Sequence, residues 1–261
     1  GDDVQAMIAD FDAFTDGALY AVYDAATAQS FIDKKIDLGD LLNEPEKTRD
    51  VIWYSEAADG SKRFRVYIDE EPPPEVTAHA FGKVDNMLLR MPAGQLVVSG
   101  AEYITEPEEQ HPVAIPAGEY RALGFDVHFT KEETQQHLER ALGHAVYRAY
   151  KRGERKAFVG CMGALGMAAC VAAFIALHGN VAAFYVIATV AALSLLAFIY
   201  PALTWGSIKQ KERAAKVDEA LKELPEVALL LKRLREGETV DSPSGSQFGP
   251  TQTGDFGPKG R

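Results

Sequence analysis

The chain has 261 residues, of which 47% are hydrophobic and 25% are charged, and this average composition is typical of a globular protein. The formal net charge is −11 at pH 7, and residues 1–150 carry 28 acidic but only 13 basic residues. Because contacts to phosphate need a basic surface, this acidic front half argues against nucleic acid as a partner.

Residues 1–130 are predicted to form a β-rich domain of an α+β or sandwich-like fold. Helical pieces are expected over 4–14 and 25–32. The segment ALYAVYD (18–24) alternates as a strand does. DVIWYSEAADGSKRFRVYIDEE (50–71) contains two alternating runs around Asp59-Gly60, which predicts a β-hairpin.

Two later segments share one pattern. VDNMLLRMPAGQLVVSGAEYI (84–104) and HPVAIPAGEYRALGFDVHFT (111–130) each place Pro-Ala-Gly between two strand-like runs. Proline sets φ at the second position of a turn, and glycine supplies the positive φ that reverses the chain. The pattern therefore predicts two similar β-hairpins in one antiparallel sheet.

The β-rich domain lacks recognisable catalytic motifs. It has no glycine-rich phosphate loop and no Gly-x-Ser-x-Gly, and its histidines lack metal-ligand spacing, so we predict no enzyme activity, catalytic residue, cofactor or metal. Acidic residues cluster in or beside proline-bearing loops, and the candidates for partner binding are Asp69, Glu70, Glu71, Glu106, Glu108 and Glu109. A catalytic carboxylate pair and solvated loops are alternatives. Since no base or nucleophile accompanies the acids, we favour a docking face for a basic partner.

Residues 131–156 are predicted to form an amphipathic connector helix, because Thr130 and Glu133 have the spacing of a capping box. The next 52 residues, 157–208, contain no Asp, Glu, Lys or Arg. Divided at 178–180, they give two segments of about the 20 residues that cross a bilayer. We therefore predict transmembrane helices over 157–177 and 181–205, joined by an extracytoplasmic turn. Basic residues on both flanks place both termini in the cytoplasm, with the hairpin in the inner membrane.

Small residues recur every four positions along the first predicted span, at Gly160, Ala164, Ala168 and Ala172. Such a stripe allows a close approach by the second span, by another copy of the chain or by a foreign membrane segment. Residues 206–237 are predicted to be cytoplasmic helices, for which packing on the connector as a stalk is favoured over a position along the membrane surface. The tail, 238–261, is rich in Gly, Ser, Pro and Thr and is predicted to be disordered.

Three functions fit this organisation. The strands bearing MPAGQLVVSGAEYI (91–104) and VAIPAGEYRAL (113–123) resemble the β-rich domains of bacterial toxin-immunity proteins, and some immunity proteins carry membrane hairpins. The resemblance implies a membrane-anchored partner-binding protein that neutralises a toxin at the inner membrane. The alternatives are a membrane-tethered, ligand-sensing regulator and an accessory subunit of a membrane complex. The expected partners are a protein, the lipid bilayer and, alternatively, a second copy of the chain.

Overall fold

A computed structural model describes residues 6–36, 39, 50–106, 111–176, 181–205, 208–235, 237–239 and 247–248, and part of the side chains in the two long helices lie outside the description. The chain divides into two compact units. The sandwich unit comprises Gly1–Phe129 and Leu224–Arg261, and the helical unit comprises Thr130–Glu223.

The sandwich unit is built from ten described strands and short helices. The strands are β1 (Met7–Thr15), β2 (Leu19–Asp24), β3 (Val51–Ser55), β4 (Gly60–Ile68), β5 (Ala80–Met91), β6 (Gln95–Gly100), β7 (Val113–Ala114), β8 (Gly118–Val127), β9 (Val227–Arg233) and β10 (Gln247–Phe248). The helices are α1 (Ala25–Asp33), α2 (Pro74–Thr77) and a 3-10 turn, Ala101–Tyr103. The α+β class and the strand over 18–24 are thus confirmed.

The strands form two five-stranded sheets, in the orders β1-β4-β9-β8-β5 and β10-β3-β2-β6-β7. Alternate residues of both sheets meet in one apolar core, in which Phe64 and Leu229 come from the first sheet and Ile52 from the second. Because side chains alternate between the faces of a strand, the remaining residues point outward. On the outer face of the second sheet, Phe31 of α1 packs with Trp53 in a separate cluster.

The helix predicted over 4–14 is wrong, because this stretch contains β1. Its burial alternates along MIADFDAFT: Ala9, Phe11 and Ala13 are buried, whereas Ile8 and Phe14 are exposed. A period of two is the pattern of a half-buried strand, and it outweighs the helix propensity of the alanines. The helix predicted over 25–32 is confirmed by α1, which is capped by the Asp24 side chain.

The three predicted hairpins have the right strands but the wrong pairing. β3 and β4, on either side of Asp59-Gly60, lie in different sheets, as do β5 and β6 and likewise β7 and β8. The connections therefore carry the chain from one sheet to the other. The two Pro-Ala-Gly turns contact each other, since a Cβ on Gly94 would collide with the carbonyl oxygen of Ile115 and lie 3.1 Å from the amide nitrogen of Ala117.

The strand β9 is the largest departure from the sequence prediction, which made 206–237 helical throughout. β9 lies in the middle of the first sheet, parallel to β4 and antiparallel to β8. Leu229 faces the sandwich core and Leu230 the opposite apolar cluster, so the strand is buried on both faces. A strand buried on both faces appears in sequence as a continuous apolar run, which periodicity cannot distinguish from a buried helix.

The helical unit contains α3 (Lys131–Leu142), α4 (His144–Ala176), α5 (Val181–Trp205) and α6 (Ile208–Lys222). The capping box of Thr130 and Glu133 is present, and Gly143, with φ of 78°, separates α3 from α4. The structure shows the predicted packing between connector and α6, in which Leu138 contacts Val217. The long helices also expose large apolar side chains, among them Leu165 and Leu196.

Among the residues that the structure describes, no helix is long and apolar enough to cross a membrane. α4 begins at His144 and includes the charged residues Lys151, Arg152, Glu154 and Arg155. The predicted transmembrane hairpin and the multi-pass inner-membrane localisation with cytoplasmic termini are therefore wrong. The turn at 178–180 lies outside the described residues.

The predicted disordered tail, 238–261, lies almost entirely outside the described residues. Two of its residues, Gln247 and Phe248, form β10, which pairs parallel to Trp53 and Tyr54 of β3. At least this part of the tail is therefore ordered, against the prediction, and its pairing adds a strand to the edge of the second sheet.

Candidate functional site

A cleft of about 540 Å³ runs beside β1 in the sandwich unit. We call it the β1 cleft, and define it by its lining residues 10–14, 98–100, 103 and 111–113. One wall is β1, the first strand of its sheet, and the other consists of the end of β6 with the segment leading into β7. The cleft therefore opens between one edge of each sheet.

The free edge of β1 is the main feature of this wall. β1 pairs with β4 along its whole length, from Met7 opposite Ile68 to Thr15 opposite Gly60, without a break in register. Among the described strands it has no partner on its other side. Backbone N–H and C=O groups on such an edge can pair with another extended chain.

The lining combines carboxylates with apolar and aromatic groups. Asp10 and Asp12 lie on β1, Phe14 is 46% exposed, and Tyr103 and His111 complete the opposite wall. Asp10 accepts a hydrogen bond of 2.6 Å from Nε of Arg65, yet 57% of its side chain is exposed. Among its described residues, the lining contains no Lys or Arg. A cationic or amphipathic segment is the chemistry that this surface suits best.

Glu102 closes one end of the β1 cleft. Its carboxylate accepts hydrogen bonds from Oγ1 of the buried Thr15 at 3.0 Å and from the amide of Asp16 at 2.6 Å. Gly100 approaches the carbonyl group of Phe14 so closely that a Cβ there would collide with it. The end of β1 is thus fastened to the end of β6, and the open part of the edge is the stretch before Phe14.

A second polar cluster lies inside the sandwich. The single hydroxyl proton of Tyr54 is shared between Oδ1 of Asp126 at 2.6 Å and Oε2 of Glu56 at 3.0 Å, and Lys62 pairs with Glu56 at 2.7 Å. Asp126 is 4% exposed, and its Oδ2 has no hydrogen-bond partner among the described atoms. Oδ2 faces Gly82, where an added Cβ would lie 3.5 Å away.

This environment shifts the ionisation of the cluster. Burial raises the pKa of Asp126, and the negative charge of Glu56 raises it further, against the hydrogen bond from Tyr54. Burial also raises the pKa of Tyr54, as does its hydrogen bond to Asp126, so the phenol stays protonated. Burial raises the pKa of Glu56, but the hydrogen bonds from Lys62 and the Ala57 amide outweigh this effect, so the pKa is lowered.

Three of the predicted partner-binding acids, Asp69, Glu70 and Glu71, do not line the β1 cleft. Asp69 has φ of 51° and accepts a hydrogen bond of 2.8 Å from the Arg233 amide, so it ties the end of β4 to the end of β9. Glu71 forms an ion pair with Lys232, and Glu70 is half-buried nearby. Asp69 thus has a structural role. The three residues form one group in the sequence, and β9 supplies contacts to Asp69 and Glu71.

The remaining partner-binding candidates belong to another segment. Glu106 is exposed just after the 3-10 turn, and its amide donates to the carbonyl oxygen of Tyr103. One hydrogen bond therefore joins Glu106 to Tyr103, a residue of the cleft wall, although Glu106 does not line the cleft itself. Glu108 and Glu109 lie outside the described residues.

The predicted helix-packing stripe does not form the contact between α4 and α5. Ala164, Ala168 and Ala172 are exposed, and the surroundings of Gly160 lie outside the described side chains. The close approach occurs at Gly163 instead, where a Cβ would lie 2.7 Å from both the Phe198 nitrogen and the Ser194 oxygen. Gly163, which does not belong to the predicted stripe, therefore makes the close contact with α5.

Within the described part of the chain, no group of three or more His, Cys, Asp or Glu is arranged to hold a metal ion. The absence of a metal, a cofactor and a catalytic residue therefore stays a prediction for the whole chain. Sequence reasoning missed β1 and its cleft, because 4–14 was assigned to a helix. The alternation of Ile8, Asp10, Asp12 and Phe14 on one face was the available signal.

No protein family and no curated protein matches this chain. Among solved structures, a protein described as crocagin biosynthetic gene J is similar over 48% of this chain and 79% of its own length. The two chains are 16% identical and superpose with a TM-score of 0.39. At this level the similarity supports no conclusion about the fold or the function of the present protein.

Proposed function

We propose that this protein is a partner-binding protein, and that its sandwich unit binds another protein at the β1 cleft. The observation that carries the proposal is the free, regular edge of β1, which forms one wall of an acidic cleft with an exposed aromatic side chain, Phe14. Extended segments of partner proteins commonly bind by pairing with such an edge. This proposal assigns the acidic docking face to Asp10 and Asp12, whereas the sequence analysis assigned it to the loop carboxylates.

Neutralisation of a toxin is the specific form of this function that the resemblance of the β-rich segments suggests. In this form the partner is a protein with a basic surface, and binding at the β1 cleft blocks that surface. Electrostatic complementarity would speed the association, which suits a protein that must intercept its target quickly.

A ligand-sensing regulator is the second candidate, and the size of the β1 cleft favours it. Clefts of about 300–1,000 Å³ hold small molecules, and the present volume is about 540 Å³. The acidic lining would then select a cationic or polar molecule with an apolar part. Such a ligand would contact Tyr103 and His111 on the wall opposite β1.

Site-specific photocrosslinking in the native cells tests the proposal. A photoreactive phenylalanine replaces Phe14 in the full-length chain, and crosslinked products are identified by mass spectrometry. Phe81 provides a matched control, because it is an aromatic residue with the same 46% exposure on β5, the opposite edge of the same sheet. We expect one protein crosslinked from position 14 and not from position 81. Equal crosslinking from both positions, or none from position 14, would refute partner binding at this cleft.

A further inference from the structure

We infer that the partner adds an extended strand to the free edge of β1, with basic side chains opposite Asp10 and Asp12. This inference rests on the proposed function, since the same cleft binds the partner, and it specifies the partner's conformation and charge. Three observations support it: the two edges of the first sheet differ, the exposed face of β1 alternates in a defined way, and self-pairing of β1 is unfavourable.

The two edges of the first sheet differ in their protection against an added strand. On β5 the register breaks between Phe81 and Val84 and again between Val84 and Met87, and Gly82 and Asn86 have positive φ. Bulges and lysines protect edges from pairing, and β5 also carries Lys83. β1 has nine residues in unbroken register and contains no Pro, Gly or Lys. The edge of β1 is therefore built to accept a strand, whereas that of β5 is not.

The exposed face of β1 defines the side chains that the added strand must carry. Ile8, Asp10, Asp12 and Phe14 alternate on this face. Opposite side chains on neighbouring strands lie close together, and opposite charges there are stabilising. Although Asp10 already contacts Arg65, its exposed carboxylate can accept a further hydrogen bond. The added strand should place two basic residues, two positions apart, opposite Asp10 and Asp12, and an apolar residue opposite Ile8.

A second copy of the chain is a poor occupant of this edge. The middle residue of β1 is Phe11, and antiparallel pairing of two copies about it would place Asp10 of each opposite Asp12 of the other. Like charges directly opposite are destabilising. In this register the aspartates disfavour β1 self-pairing and favour a partner of opposite charge.

Binding of a synthetic peptide to the full-length protein tests the inference. The probe is Thr-Lys-Thr-Lys-Thr-Leu-Thr, which matches the open stretch Met7–Ala13 in length and, running antiparallel to β1, places its lysines opposite Asp12 and Asp10 and its leucine opposite Ile8. Fluorescence anisotropy of the labelled probe gives its affinity. We expect binding that weakens with added salt, and a loss of at least about tenfold when glutamates replace both lysines.

Methylation of the peptide backbone separates strand addition from binding through side chains alone. Two versions of the probe carry N-methyl groups on alternate amides, so that one set faces β1 and the other faces away. We expect one version to bind at least about tenfold more weakly and the other to bind as the parent does. The Asp12→Asn variant should also weaken binding of the parent probe, whereas Asp59→Asn, an exposed aspartate outside the cleft, should not.

Equal effects of the two methylated versions, or no binding of the lysine probe, would overturn the inference. The proposed function has its own readout, because crosslinking from Phe14 does not depend on the peptide. A partner crosslinked at Phe14, together with equal effects of methylation, would reject strand addition and keep partner binding. The absence of a crosslinked partner would reject the proposed function.

Discussion

The hydroxyl of Tyr54 on β3 donates a 2.6 Å hydrogen bond to Oδ1 of Asp126 on β8, and this bond joins the two sheets inside the sandwich. Tyr54 is 1% exposed and Asp126 is 4% exposed. A buried carboxylate is costly unless hydrogen-bond donors contact it, and the Tyr54 hydroxyl is the side-chain donor to Asp126 in the structure. The pair is therefore a structural contact whose loss is costly.

Removal of this hydroxyl should destabilise the protein. In Tyr54→Phe the carboxylate of Asp126 loses its donor, and we expect the free energy of unfolding to fall by about 1–3 kcal/mol. Urea denaturation followed by tryptophan fluorescence measures the change. The matched control is Tyr23→Phe, whose hydroxyl shares a hydrogen bond of 3.0 Å with the neutral hydroxyl of Ser99. An equal or larger loss in the control would contradict the special role of the charged acceptor.

Stability should also depend on pH through Asp126. Because its pKa is raised in the folded state, the folded protein binds this proton more readily than the unfolded chain does. The resulting stabilisation is fully present below the ordinary pKa of aspartate, about 4, and is lost as pH rises through the folded-state value. Asp126→Asn cannot ionise, and its amide oxygen still accepts from Tyr54. The stability of the variant relative to the original protein should therefore increase with pH, and a constant difference would refute this prediction.

The sandwich unit should not fold without β9. A fragment of residues 1–130 lacks the strand that separates β4 from β8, so we expect it to aggregate or to be unfolded. Circular dichroism of the fragment measures this. The amide of Val127 donates to the carbonyl of Glu226 at 2.8 Å, which shows that the end of β8 lies beside the start of β9. A chain in which a short Gly-Ser linker replaces 130–223 should therefore fold. A folded 1–130 fragment would contradict the central role of β9.

Close packing at Gly163 predicts the effect of substitutions in α4. Gly163→Ala would place a Cβ 2.7 Å from backbone atoms of α5, and we expect a loss of about 1–3 kcal/mol through overpacking. The control is Ala164→Ser, at the exposed neighbouring position, which should change stability little. Thermal unfolding of the full-length variants makes the comparison. Equal effects at both positions would show that this helix contact is loose.

The contact between the two Pro-Ala-Gly turns predicts a further sensitive glycine. Gly94 has φ of 65°, and a Cβ there would collide with the carbonyl oxygen of Ile115. Gly94→Ala should cost about 1–3 kcal/mol from overpacking, in addition to the strain of positive φ. Gly143 has a similar φ of 78°, and an added Cβ there would meet open space. The substitution Gly143→Ala therefore measures the cost of backbone strain without overpacking. A loss at Gly94 no larger than that at Gly143 would argue against close packing of the turns.

Much of the local structure was predictable from short segments. The strand Leu19–Asp24, the helix after it and the capping box at Thr130 follow from patterns within a few residues, and all three are present. The β1 cleft was not predictable in this way. Its walls come from β1, β6 and the segment before β7, which lie far apart in the chain. The acidic residues of its wall were visible in the sequence, but only as part of a segment assigned to a helix.

The sequence by itself determined the acidic front half, the alternating strands, the glycine and proline turns and the long uncharged segment. These are properties of neighbouring residues, and local sterics and hydrophobic periodicity govern them. Only the tertiary structure decided which strands pair, because turns such as Asp59-Gly60 suit a crossing between sheets as well as a hairpin. It also decided that the apolar run VALLL is a strand. Burial on both faces removes the polar alternation that identifies a strand, so the outcome depends on β4 and β8, which hold β9 between them.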